Sequence, residues 1–234
     1  PTASMVTAWN WRRPTTPQVL AGDTMEPPVS VPSAKGTSPA ATAAAGPLIH
    51  EMGDAAGIPV VTVIGPEAEI AAAITENGRV GVLATPATVA SGAYRDALDA
   101  AGRPLTVTEV SAPDLAPLIQ VDLSFDDELI EAVRGYSAPL KEAGVDTLIL
   151  GCTHYPLIAP AIQRILGRDV RLVTAGHAIA GAIQRQLAST GSLSSSAGEG
   201  EYRFLVTGDV DSFVEDGARF LQLPLANRVS AASV

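Results

Sequence analysis

The stretch Asp146-Thr147-Leu148-Ile149-Leu150-Gly151-Cys152-Thr153-His154-Tyr155-Pro156 decides how the rest of the chain is read. Its apolar run from Asp146 to Leu150 is of the buried-strand type, Gly151 lets the chain turn, and Pro156 suits a helix's first turn, where its missing N–H costs nothing. A strand leading through a turn into a helix is half of a βα unit. The single cysteine of the chain stands at that junction.

The same alternation extends outward in both directions. Before it, the patterns predict strands at Pro59–Ile64, Arg79–Ala84 and Leu105–Val110, with helices from Glu67 to Thr75, from Thr88 to Ala100 and from Phe125 to Ala143. Gly144 closes the last of these where a left-handed cap is expected. After it come a helix from Leu157 to Leu166, a strand at Val170–Val173, a helix from Gly176 to Leu187, a Ser- and Gly-rich loop at 190–201, a strand at Tyr202–Thr207 and a helix from Asp211 to Leu221. Strands separated by helices imply parallel sheets with right-handed crossovers, hence an α/β fold. Residues 1–46 are crowded with Pro, Thr, Ser and Ala, hold no sustained period, and read as an irregular arm. The Trp9-Asn10-Trp11 cluster, followed by Arg12-Arg13, is weak evidence for docking and is assigned no function.

Composition narrows the functions. With 234 residues and 47% hydrophobic content the chain can fill a substantial core. A net charge of −10 without a basic run disfavours nucleic acid and anionic membranes as partners. A small anionic substrate remains compatible, held by amides and hydroxyls. One cysteine forms no intramolecular disulfide, and neither a signal segment nor a long apolar span is evident, so a cytoplasmic setting is expected.

In parallel sheets ligands bind at the carboxyl ends of strands, which selects two loops: Ala84-Thr85-Pro86-Ala87-Thr88 and Gly151-Cys152-Thr153-His154. Beside helix N–H groups the Cys152 thiol, ordinarily titrating near ~8.5, would be shifted down. His154 could exchange a proton or hold the thiol's surroundings, and Thr153 offers a hydroxyl and an amide to a carboxylate. Taken singly, a cysteine is usually packing, a histidine a satisfied polar group and a threonine a helix cap. Together at one strand end they read as a site. Thr85 and Thr88 could bind a carboxylate, although Thr88 reads equally well as a cap, and Asp209 reads as a cap rather than an acid.

At this point the residues resemble a known family. Leu150-Gly151-Cys152-Thr153-His154-Tyr155-Pro156-Leu157 is similar to the second cysteine signature of bacterial glutamate racemases. Val80 to Tyr94, Pro59-Val60-Val61 and Thr207 to Phe213 resemble further segments of that family in order and spacing. The resemblance implies two pseudo-symmetric parallel-sheet α/β domains, the first incomplete here. Residues 66–175 would form the second domain, and 47–65 with 176–234 the remnant of the first. It implies interconversion of L- and D-glutamate by two opposed thiols, without metal or pyridoxal phosphate, supplying peptidoglycan. Cys152 would be one thiol, His154 its helper, and Thr153, Thr85 and Thr88 substrate contacts. Racemases of this type are often dimers, so a homodimer is expected from the resemblance alone.

The departures are specific. The family's Asp-Ser-Gly and Pro-Tyr-Gly segments are absent, with only Gly22-Asp23-Thr24 as a trace of the latter's approach. Its first cysteine signature should fall at Ala40-Ala41-Thr42-Ala43, which lacks the thiol, and a glutamate of the family is Gln120 here. Three readings follow: a racemase relative impaired by a truncated or scrambled first domain, a single-cysteine decarboxylase of the arylmalonate type, or a non-catalytic glutamate-binding protein.

Overall fold

The computed structural model describes residues 51, 54–55, 57, 60–121, 124–194, 204–221, 224–225 and 227–232. The expected arm at 1–46 and the Ala40–Ala43 segment lie outside them. Strands β1 (Arg79–Ala84), β2 (Thr106–Ser111), β3 (Thr147–Gly151) and β4 (Arg171–Val173) form one sheet in the order β2-β1-β3-β4. Every neighbouring pair is parallel. Central strands of a parallel sheet are covered on both faces, which is why β1 and β3 read as unbroken apolar runs while edge strand β2 is only half-buried.

Successive side chains of β1 and β3 serve opposite layers. Leu83, Leu148 and Leu150 join one core with Val133 and Leu140 of α5 (Asp127–Glu142) and Ile162 of α6 (Ala159–Leu166). Val80, Val82, Ala84 and Ile149 join another with Ala68 and Ala71 of α1 (Ile64–Ile74) and Tyr94 and Leu98 of α3 (Ala93–Asp99). The remaining helices of this unit are α2 (Pro86–Ser91), α4 (Leu115–Val121) and α7 (Ala175–Ser189).

Three expectations are corrected. Val60 to Thr62 form no strand; the chain enters α1 at Ile64, with Pro66 accommodated in the first turn, where no intrahelical N–H is needed. The helix expected from Thr88 to Ala100 is two helices, because Gly92 adopts the left-handed conformation (φ 68°) between α2 and α3. Pro156 lies in a 3-10 turn, Tyr155–Ile158, and the α-helix proper begins at Ala159.

Of the described residues, those up to Ser192 form the larger compact unit and those from Leu193 the smaller. Helix α7 belongs to the larger, where Arg185 lies 3.9 Å from Glu69 of α1. The smaller pairs β5 (Phe204–Val206) in parallel with β6 (Val229–Ala231), joined through α8 (Val210–Leu221). The Asp209 carboxylate accepts the N–H of Ser212 at 2.7 Å, so it caps α8 as expected. Among the described residues no helix is long and apolar enough to cross a membrane.

Candidate active site

Register brings the two loops together. Ala84, the last residue of β1, is paired with Gly151, the last of β3, so both loops leave the sheet side by side. From there β1 connects toward β2 and β3 toward β4, on opposite sides. Such a reversal opens a crevice at the strands' carboxyl ends.

One wall of the crevice is made of hydroxyls. The Thr85 and Thr88 oxygens are 2.9 Å apart, and the Ser91 hydroxyl donates to the Thr88 carbonyl at 2.6 Å. Thr88 is 3% exposed and lies one turn inside α2, so the cap reading fails. Thr85 holds the cap position, yet its side chain does not cap the helix. The two hydroxyls hydrogen-bond each other instead.

The other wall carries the thiol. Cys152 and His154 are 5% and 6% exposed, with Sγ 3.7 Å from Nδ1. Thr153 between them is exposed. The Tyr155 hydroxyl donates to the Ala112 carbonyl at 2.9 Å and ties this turn to the segment just after β2. Burial pushes the Cys152 thiol up, and the backbone N–H groups of His154 and Tyr155 only partly offset it. The expected lowering by helix N–H groups is therefore overturned. Burial also lowers His154, so thiol and imidazole both rest neutral at neutral pH. As the single cysteine of the chain, Cys152 can be followed alone. Its alkylation rate by iodoacetamide should still climb above pH ~8.5, where an ordinary thiol is half ionised; a plateau reached below that pH would contradict the burial effect.

Gln120 sits on α4 rather than on either loop. Sequence reasoning missed Glu67 as a functional candidate and treated Tyr94 only as a neighbour of Thr88. Tyr94 packs against Gly151 and its hydroxyl bonds Glu67. No local pattern signals a bond between residues 27 apart on different helices. Among the described residues no cluster of three or more His, Cys, Asp or Glu is disposed to hold a metal ion.

A buried thiol on one loop and a bonded pair of hydroxyls on the other thus follow neighbouring central strands at the switch point of a parallel α/β sheet. The chain belongs to the Asp/Glu/hydantoin racemase family, whose profile matches residues 36–183. It is 40% identical over 183 residues to the glutamate racemase of Acidothermus cellulolyticus, an alignment taking in 78% of this chain and 69% of that one. To the glutamate racemase of Mycobacterium leprae it is 41% identical over 165 residues, 70% of this chain and 60% of the relative. In structure it is similar to glutamate racemase RacE1 of Bacillus anthracis, with a TM-score of 0.74, 32% identity, and coverage of 82% of this chain and 71% of the other. The glutamate racemase of Francisella tularensis in complex with D-glutamate gives a TM-score of 0.73 at 27% identity, with 83% and 71% covered. The fold class implied by the Cys152 signature is the fold of these racemases.

Proposed function

We propose that Cys152 is an acid/base thiol for the α-carbon of glutamate, in a racemase-like chemistry that uses neither metal nor pyridoxal phosphate. The observation that supports this reading is the Ala84–Gly151 register, by which the loop bearing the Thr85 and Thr88 hydroxyls and the Cys152-Thr153-His154 turn leave the sheet from neighbouring strands. A substrate carboxylate held by these hydroxyls and by Thr153 presents one face of its α-carbon to Sγ. Removing that proton needs a basic thiolate, and the same burial that raises the thiol makes its anion a strong base once formed. His154, 3.7 Å away through Nδ1, is placed to hydrogen-bond the thiol and hold its surroundings. The developing charge on the substrate is met by the loop's amides and hydroxyls in a water-poor site.

Racemisation needs a second acid on the opposite face, and the position of the family's first thiol reads Ala40-Ala41-Thr42 here. Inversion is therefore impaired while exchange on one face survives. Incubating each enantiomer of glutamate with the chain in deuterated water, followed by proton NMR, should show one enantiomer losing its α-proton signal without changing hand. Silence from both enantiomers would overturn the reading, and full racemisation would overturn the need for an opposed thiol. With this reading go a cytoplasmic setting, a homodimer and, for an intact enzyme, supply of D-glutamate to peptidoglycan and so to cell shape; the support is the family's.

A further inference from the structure

Behind the thiol turn lies a buried acid that the proposed chemistry does not use. Glu67, in the first turn of α1, has no exposed surface. Its Oε2 accepts the Tyr94 hydroxyl at 2.5 Å, and among the described residues its Oε1 has no hydrogen-bond partner. A carboxyl with one orphan oxygen is a costly group to bury on a helix whose other buried residues are Ala68, Ala71 and Ala72. Its one visible task is to hold the phenol.

The phenol in turn bears on the catalytic turn. Tyr94 is 2% exposed, and its ring crowds Gly151: a Cβ there would lie 2.9 Å from Cε2 and 3.3 Å from Cζ. The same Cβ would also meet that of Ala84 at 3.1 Å, so the Tyr94 ring packs into the space that a side chain at Gly151 would need. The contact is electrostatic as well, since after burial and Glu67 the charge of an ionised Cys152 also raises the Tyr94 phenol.

We propose that Glu67 and Tyr94 are positioning residues for Cys152: the carboxyl anchors the phenol, and the ring props the backbone at Gly151 so that the thiol is held in its turn. This rests on the reading of Cys152 as the acid/base thiol, but its test needs no turnover. The variants are Tyr94→Phe, which keeps the ring and removes the anchor, Glu67→Ala, which removes the acceptor, and Glu67→Gln, which restores one. The readout is the alkylation rate of Cys152 at its high-pH plateau, where every protein has the thiolate and only placement and access differ, with the thermal midpoint recorded alongside. A loosened prop should change the plateau rate about fivefold or more in Y94F and E67A, whereas E67Q stays within about twofold of the parent. A Y94F rate within twofold of the parent overturns the proposal, as does an E67Q rate matching that of E67A. Should E67A fail to fold, Y94F against E67Q decides alone. Absence of α-proton exchange in the parent chain would sink the racemase reading and leave this comparison standing.

Discussion

Replacing Cys152 by serine is expected to lower α-proton exchange from glutamate by on the order of 10²- to 10⁴-fold, the usual contribution of a placed acid/base group, with glutamate affinity and thermal midpoint nearly unchanged. The two side chains are close to isosteric, and a serine hydroxyl can donate to the His154 Nδ1 that now lies 3.7 Å from Sγ. The core around Leu150, Tyr155 and Ile158 is thereby kept. What changes is basicity, because a hydroxyl gives up its proton far less readily than even a thiol raised by burial. In the proposed reading substrate affinity would be carried by Thr85, Thr88 and Thr153, which the substitution does not touch. The measurement is proton NMR in deuterated water, paired with calorimetric titration of glutamate. Exchange surviving within tenfold of the parent would show that another group removes the proton, and lost affinity would show that the thiol had served in binding instead.

The residues that make this prediction were legible because their signals are local. Runs such as Val80-Gly81-Val82-Leu83-Ala84 and Thr147-Leu148-Ile149-Leu150 are apolar without alternation because both strands are central, the first followed by Thr85-Pro86 and the second by Gly151. The carboxyl-end rule then reached Thr85, Thr88, Cys152 and His154 without knowledge of the register. The rest was hidden for identifiable reasons. Helix α4 carries Pro117 in its first turn and is only seven residues long, too short to show a period. The apolar run at Val60 to Ile64 mimics a strand, but Ile64 packs against the α1–α3 core as the first residue of a helix. Strand β6 is three residues with one half-buried position, so its identity comes from pairing with β5 alone. The direction of the Cys152 shift depends on how deeply the tertiary fold buries the turn, which no motif reports. The Glu67–Tyr94 pair exists only once α1 and α3 lie on the same face of the sheet.

That pair should also make the fold itself sensitive to pH in an unusual window, and Glu67→Gln should remove the effect. Burial pushes the Glu67 carboxyl from 4.5 up to about 7, the Tyr94 hydrogen bond lowering it only in part. In the unfolded chain the group ionises near its ordinary value, so between about pH 4.5 and 7 the unfolded state releases a proton that the folded state retains. Stability from this group is therefore fully present below pH 4.5, falls as pH rises through 7, and levels off above. At ~1.4 kcal/mol per pKa unit, discounted for relaxation around the charge, the loss is about 2–3 kcal/mol. Other groups act elsewhere or cancel. Burial raises the Asp146 carboxyl, but the hydrogen bonds it accepts from Thr75, Asn77, Glu76 and Thr147 together outweigh that and hold it below 3.8, so its contribution is lost only in stronger acid. Tyr94 and Cys152, both pushed up, stay neutral throughout the window. His154, lowered by burial, favours folding as pH rises, but it does so equally in parent and variant. Urea unfolding of both proteins at pH 4.5, 6, 7 and 8 should give curves of stability against pH that separate, the parent losing about 2–3 kcal/mol more than E67Q by pH 8. Parallel curves would mean that Glu67 ionises in the folded protein as freely as in the unfolded one. Its orphan oxygen would then have to be reached by water, and the dry pocket behind Gly151 would no longer be available to hold the phenol against the thiol turn.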